Sequence, residues 1–417
     1  MRSKNVLIIG GGVAGLSAAI ELADLDIRVE LIEKSSFPGG HAIGYACKAI
    51  HNTCVKCGAC MVEEKLQRAV SHPNIRISTG SKIKDISKNS RITANIYQEP
   101  IYIDPEKCSS CGLCSKTCPV DGAIQKGFSK NNHPFYAINI EKCLYFKDRS
   151  CTLCFDECPE EAIDPDKNAL EYTIEADAVL IAAGFQPFNP KDKPHGYGRF
   201  KNVVTALELE NMIKQSGEAK SPSDNKFPQK VAFIQCVGSR DAKLNHLWCS
   251  KVCCGSALRM ARLIKERHPE TEITFFYIDV QTFGRDFEQF YREVREDIRT
   301  IRAIPGDIYE TEDQRLKVNF VNHPTHETRE EIFDLVVLSV GITPGEDIDA
   351  LSRIFKMEPD QFGFLKGYDK GISVSGNGVF VAGTVKGPMS IPEAVADAGS
   401  AVWNIVKYMG GRDLKFD

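Results

Sequence analysis

The sequence predicts an α/β chain of two Rossmann-like units, the first interrupted by a cysteine-rich insertion. Three observations carry that reading. VLIIG at residues 6–10 is an unbroken apolar run suited to a parallel strand buried on both faces, and a glycine turn follows it. KVAFIQCVGSRD, from Lys230, begins a second series of strand, turn, helix and strand. Between them, from Tyr102 to about Pro165, lies a stretch of short turns with little helical periodicity and closely spaced cysteines.

In chain order, the first unit opens with Gly10, Gly12 and Gly15 in the pattern G-x-G-x-x-G, spaced by Val13 and Ala14. Gly10 makes the tight turn, Gly12 lets the backbone approach a pyrophosphate, and Gly15 permits close helix–strand packing. The helix LSAAIELADL and the strand RVELIE follow, ending at Glu33, which is placed to accept from a ribose hydroxyl; Lys34 and Gly40 come next. ADAVLIAAGFQP, at 176–187, is a strand that breaks at Ala183-Gly184. GVFVAGTVKGPMSIPEAV places another strand ahead of Gly383-Thr384, with Lys386 and Ile391 in the turn and a helix from about Pro392. Arg240 and Lys386 are cations beside glycine turns, expected near the cofactor.

KQSGEAKSPSDNKFPQ, from Lys214, reads as a linker into the second unit. That unit runs through a helix centred on SALRMARLIKERH and the strand EITFFYIDV to DLVVLSVGITP. Its first turn carries Cys236 where a nucleotide turn has glycine, so the fold is expected to survive without a nicotinamide-nucleotide site. The expected bounds are 1–101, 166–225 and 346–417 for the first unit, 102–165 for the insertion and 226–345 for the second unit.

The insertion contains Cys108-x-x-Cys111-x-x-Cys114-x-x-x-Cys118-Pro, then Cys143 and Cys151-x-x-Cys154-x-x-x-Cys158-Pro. Three cysteines of one turn converge on a [4Fe–4S] cube, and the cysteine before proline ligates the other cube in two-cluster ferredoxins. The pattern pairs Cys158 with Cys108, Cys111 and Cys114, and Cys118 with Cys143, Cys151 and Cys154. Zinc ribbons instead use separated C-x-x-C pairs. In the second unit Cys249-x-x-x-Cys253 places two thiols on one helix face, with Cys254 adjacent and Cys236 at a strand end; buried cysteines or a redox disulfide are the alternatives. Cys47, Cys54, Cys57 and Cys60 repeat the triplet without the proline, leaving open a fourth cube, a cube with His51 as a ligand, or ordinary buried thiols.

The 417 residues, with 42% hydrophobic and 26% charged, suit a globular protein of two or three domains. A net charge of −4 gives no reason to expect nucleic-acid binding. No run approaches 18 apolar residues, no cleavage site marks a signal peptide, and sixteen cysteines without an export signal point to metal ligation in the reducing cytoplasm.

The glycine motifs resemble those of the thioredoxin-reductase-like flavoproteins, which implies FAD. In that group the residue matching Thr384 is an aspartate that binds the ribityl chain, so threonine departs from the pattern. QCVGSRD followed by HLWCSKVCCGSALRMA is similar to the signature of the heterodisulfide reductase A subunits. That resemblance implies a non-standard [4Fe–4S] cluster on Cys236, Cys249, Cys253 and Cys254. Those subunits carry added terminal domains, whereas this sequence begins at the FAD glycine turn and ends after the FAD segment. That trimmed form looks like the A subunits of the quinone-interacting membrane-bound oxidoreductases of sulfate reducers, as which it is expected. That resemblance implies three partners. They are a second subunit with flavin and iron–sulfur clusters, a haem-containing membrane subunit that handles menaquinol and would hold the chain at the cytoplasmic face, and adenylylsulfate reductase as electron acceptor. The expected function is electron relay, with bifurcation at the flavin as a further expectation and no acid–base catalytic residues. The alternatives are a cytosolic heterodisulfide reductase complex, an NAD(P)H-dependent disulfide reductase and a zinc-holding assembly subunit.

Overall fold

The computed structural model describes residues 3–410 apart from 52, 130, 132, 282, 283, 285, 323, 324 and 367–377. The apolar runs form two parallel five-stranded sheets. In the first, β1 (Asn5–Ile9) lies between β2 (Arg28–Ile32) and β9 (Ala178–Ile181), with β3 (Ile75–Ser78) and β20 (Val379–Val381) outermost. Leu7 and Ile8 are fully buried because both faces of this sheet are covered. One face packs on α1 (Val13–Ala23), α2 (Met61–Ser71) and the long α10 (Ile391–Gly410), where small residues such as Ala18, Ala19, Ala398 and Ala401 let the helices approach closely. The other face packs on an antiparallel sheet of β4 (Ser81–Lys88), β5 (Ile92–Gln98) and β8 (Leu170–Ala176), and on α9 (Ile348–Phe355).

The cysteine-rich insertion leaves this antiparallel sheet at the end of β5 and returns at the start of β8, where Gln98 pairs with Leu170. A bridge between Ile103 and Ile163 closes the neck. Inside are the hairpin β6 (Ile124–Phe128) and β7 (Pro134–Ile138) and three short helices, α3 (Leu113–Thr117), α4 (Leu144–Asp148) and α5 (Leu153–Asp156). Its core is small, so Cys108, Cys114, Cys143 and Cys154 are themselves core residues beside Phe135 and Ile138. The Phe37 ring docks the hairpin onto the first unit, edge-on to Phe135 at 5.0 Å and against Gly127, where a Cβ would lie 2.4 Å from it.

The second sheet has the order β11-β18-β12-β13-β14, with β11 (Val203–Thr205), β12 (Lys230–Val237), β13 (Glu272–Tyr277), β14 (Arg299–Arg302) and β18 (Leu335–Val340). It packs on α6 (Ala206–Ser216), α7 (Cys253–Arg267) and α8 (Phe287–Asp297). A three-stranded antiparallel sheet, β15 (Ile308–Glu310), β16 (Leu316–Asn322) and β17 (Glu327–Phe333), covers its other face. Residues 203–216, placed by the sequence with the first unit, join this second sheet and its core. The short strand VVT leads at once into a helix fixed by a capping box between Thr205 and Glu208. A two-stranded bridge of β10 (Gln186–Pro187) and β19 (Ile342–Thr343) ties the two units together.

Gly15 shows how tightly the first turn is packed: a Cβ there would stand 1.9 Å from the Gly10 carbonyl oxygen. Gly15→Ala must push α1 off β1. Overpacking of this kind costs about 1–3 kcal/mol or more, so the thermal midpoint should fall by several degrees; an unchanged midpoint would contradict the packing described.

Candidate cofactor cleft and cysteine clusters

A cleft of about 1900 Å³ opens where β1, β9 and β20 end, and it runs along the second unit as far as α8. Gly10, Gly12, Val13 and Ala14 form its floor at the N-terminus of α1. That helix has no side-chain cap and no acid in its first turn, so its free N–H groups face the cleft as an anion site. Gly10 has φ +108°, which accounts for glycine at the turn. A Cβ on Gly12 would meet nothing within 4 Å, so that glycine leaves open space rather than packing room. Gly40, with φ +60°, faces Gly12 across the gap at 3.1 Å from its would-be Cβ. Lys34, Ala183, Gly184, Thr384 and Ile391 also line the cleft. The cradle fits a dinucleotide lying with its pyrophosphate over α1.

Glu33 borders the cleft and is buried, 8% exposed. Its carboxylate accepts from the Gly11 N–H at 2.7 Å and the Ser35 N–H at 2.8 Å, so it holds the glycine loop at the edge of the cleft. Burial raises its pKa, against the two N–H donors that lower it. Gly15, Gly383 and Lys386 are not among the cleft-lining residues. Gly383 donates its N–H to Asp397 at 2.8 Å, and the Lys386 ammonium pairs with the same carboxylate at 2.7 Å. Asp397 lies in α10 and has no motif to betray it. The Lys386 charge is therefore already compensated, and Arg240 forms a two-pronged pair with Asp279 away from the cleft.

The thiols of Cys108, Cys111, Cys114 and Cys158 border one small cavity with Tyr136 and Glu160. Burial, followed by the neighbouring thiols Cys108, Cys111 and Cys158, pushes the Cys114 pKa up to about 11. The Cys154 thiol is pushed to about 12 by burial, then by Cys143 and by Cys114, Cys118 and Cys151. The structure thus brings each proline-flanked cysteine to the other run's triplet. Cys236, Cys249, Cys253 and Cys254 also converge, and burial with the neighbouring thiols lifts Cys236 to about 12. The expected placement of Cys249 and Cys253 on one helix face is not what forms. α7 begins at Cys253, and Cys249 precedes it in an irregular turn with Lys251 at φ +62°.

Cys54 and Cys57 line the main cleft together with Cys253, whereas Cys47, Cys54 and Cys60 are exposed. His51 reaches Glu266 at 2.7 Å. Among the described residues no three His, Cys, Asp or Glu side chains converge as a single metal ion would need. A cube has wider demands, since each of its four irons takes its own thiolate. Such ligation requires deprotonated sulfur, so the raised thiol pKa values mean that binding must displace protons.

The cleft also has a buried wall that the sequence does not announce. Lys48 and Glu210 form an ion pair at 2.7 Å with side-chain exposures of 3% and 2%. Glu210 further accepts from the Ala46 N–H at 3.1 Å and the Ser256 hydroxyl at 3.0 Å. Tyr45 lies beside them, its phenol held neutral first by burial and then by Glu210.

Residues 5–90 match the family model for FAD dependent oxidoreductases, and residues 101–122 the 4Fe-4S binding domain. Across 95% of its length the chain is 34% identical to one of the heterodisulfide reductase A subunits, that of the H(2):CoB-CoM heterodisulfide,ferredoxin reductase of Methanothermobacter marburgensis, of which it spans 62%. To that of the Ferredoxin/F(420)H(2)-dependent CoB-CoM heterodisulfide reductase of Methanosarcina acetivorans it is 33% identical, over 100% of the chain and 54% of the relative. In structure it is similar to thioredoxin reductases of T. acidophilum (TM-score 0.55, 15% identity, 99% of this chain and 100% of that one) and of Lactococcus lactis (TM-score 0.55, 16% identity, 98% and 100%). FAD and [4Fe–4S] clusters are the cofactors these matches assign. The chain is therefore similar over nearly its whole length to about half to two thirds of the heterodisulfide reductase A subunits, and it has a thioredoxin-reductase-like fold.

Proposed function

We propose that this chain is an electron-relay subunit in which one FAD exchanges electrons with several [4Fe–4S] clusters. The observation that carries this is the shared cleft. Its floor is the dinucleotide cradle, while its walls include Cys54, Cys57 and Cys253, and the β6–β7 hairpin of the insertion contributes Gly127 and Phe128. When bound, FAD supplies two-electron exchange and each cube supplies single-electron steps. The protein's part is positional. The glycine loop and α1 hold the pyrophosphate, Glu33 holds the loop, and the Phe37 contact keeps the insertion against the cleft.

The cubes are placed on Cys108, Cys111, Cys114 and Cys158; on Cys143, Cys151, Cys154 and Cys118; and on Cys236, Cys249, Cys253 and Cys254. A fourth is placed on Cys47, Cys54, Cys57 and Cys60. Within this reading the chain works in a complex of the quinone-interacting type, between a membrane partner and adenylylsulfate reductase. The identity of 32–34% to heterodisulfide reductase A subunits favours the second reading, a subunit of a heterodisulfide reductase complex. Among the described residues no helix is long and apolar enough to cross a membrane, so in the first reading a partner subunit makes that contact.

Iron, acid-labile sulfide, zinc and FAD counted on anaerobically purified chain test the relay. Four cubes give about 16 iron with one FAD; about 12 removes the Cys47–Cys60 cube, and zinc in place of iron overturns the reading. Cys158→Ser should remove about four iron from the Cys108 cube while the Cys143 cube keeps its EPR signal. Cys118→Ser should do the reverse, and the opposite outcome would uncross the ligation. NADH or NADPH should leave the flavin absorbance unbleached, and rapid bleaching would restore a nicotinamide-dependent reductase. Oxidation of the reduced chain by adenylylsulfate reductase and not by CoB–CoM heterodisulfide, each assayed with its partner subunits, separates the two complexes.

A further inference from the structure

The Cys236, Cys249 and Cys254 thiols stand around a charge that the relay reading has not used. Arg240 follows Cys236 by four residues and has a left-handed backbone, φ +54°, with its N–H donated to the Trp248 carbonyl at 3.0 Å. This fold-back sets Arg240 between the Cys236 turn and the segment carrying Cys249. Both guanidinium ends engage the Asp279 carboxylate, Nη2 to Oδ2 at 3.0 Å and Nη1 to Oδ1. Gln281 Nε2 donates to Oδ1 of the same carboxylate at 2.9 Å, and the Cys254 thiol reaches the Asp279 carbonyl oxygen at 4.0 Å. Arg302 adds positive charge near Asp279 and is itself anchored by Nε on the Ile278 carbonyl at 3.0 Å.

The ion pair thus ties the Cys236 turn to the Asp279 segment, whose carbonyl Cys254 approaches, while the Arg240 N–H ties the same turn to the segment carrying Cys249. A cation and a carboxylate on this side of the thiols act on them with opposite signs, the guanidinium favouring negative charge there and the carboxylate opposing it. A planar guanidinium held at two points is a fixed charge, unlike a lysine ammonium free to swing into solvent.

We propose that Arg240 is a positioning residue that sets the reduction potential of the cluster on Cys236, Cys249, Cys253 and Cys254, with Asp279 as its opposing partner. The inference rests on that cluster assignment. One-electron reduction adds one negative charge to the cube, so a nearby cation favours the reduced form and a nearby carboxylate opposes it. Both side chains are partly exposed, with Arg240 at 25% and Asp279 at 45%, so solvent and salt dilute the effect without reversing its sign.

The test is an EPR-monitored redox titration of the full chain, purified anaerobically, with iron counted in parallel. Cys236→Ser first identifies the cluster's signal. If that variant keeps all its iron and every signal, the cluster assignment fails and this inference with it. With the signal identified, Arg240→Gln should lower its midpoint by about tenfold in the one-electron equilibrium, or about 59 mV. Asp279→Asn should raise the midpoint, Arg240→Lys should lower it by less than Arg240→Gln because its charge is kept but not fixed, and the clusters of the insertion should not move. Shifts of the same sign in Arg240→Gln and Asp279→Asn, or no shift in either at full iron content, would overturn the role. If Arg240→Gln loses its cluster, the decision falls to Asp279→Asn, whose midpoint must still rise; no rise there overturns it too.

Discussion

The ion pair between Lys48 and Glu210 holds the cleft in its shape. With side-chain exposures of 3% and 2% it has almost no water to fall back on. Desolvating two charges is expensive, and such a pair survives only where the remaining donors and acceptors are matched. They are matched here: Lys48 also donates to the Ala46 carbonyl at 3.1 Å, and Glu210 takes the Ala46 N–H and the Ser256 hydroxyl. The three contributors come from the loop that carries Cys47, from α6 and from α7, which begins with Cys253 and Cys254. Losing one partner of a buried pair generally costs about 3–5 kcal/mol. The flavin-side loop and the thiol-bearing helix are therefore fixed to each other by an interaction that tolerates little movement.

The rest of the architecture respects that constraint. The insertion enters and leaves through paired strands, Gln98 opposite Leu170, so it can be present without disturbing the parallel sheet. Its position is then set by the neck bridge and by Phe37 rather than by an extended interface. Open α/β sheets bind ligands beyond the carboxyl ends of their strands. The first sheet follows that rule with glycine at Gly10, Gly12 and Gly184, and the second presents cysteine thiols at the corresponding edge.

How much of this was legible in the sequence depended on range. Strands such as VLIIG and the helix starting near Pro392 are local patterns, and the structure forms them at Asn5–Ile9 and Ile391–Gly410. Gly10 and Gly15 are legible as turn and packing glycines, and a positive φ and a 1.9 Å contact match those reasons, while Gly12 leaves open space. Long-range partners were hidden. Lys48 and Glu210 are 162 residues apart with no motif between them, and the sequence offers no sign that Asp397 holds both Gly383 and Lys386. Arg240 was legible as a cation by a glycine turn, but not its partner Asp279, so it was expected at the flavin instead of among the thiols. Residues 203–216 belong with the second sheet rather than the first unit, and that was hidden for a similar reason. A three-residue strand carries too little pattern, and its pairing with β18 is decided by residues far along the chain.

The turn after β12 departs from a glycine nucleotide turn while the sheet around it keeps its frame. Cys236 adopts φ +60°, a conformation glycine holds at little cost and a β-carbon makes strained. Gly238 has φ +78°, but the Phe188 ring stands 2.1 Å from where its Cβ would be, so that glycine admits a side chain of the protein rather than a phosphate. The parallel pairing of β12 with β13 and β18 persists regardless, because it depends on buried residues such as Phe233 and Val337 and not on the turn. This edge carries the Cys236 thiol and the Arg240–Asp279 pair. The carboxylate holds the guanidinium at two points, so the cation stays fixed beside the turn that carries Cys236.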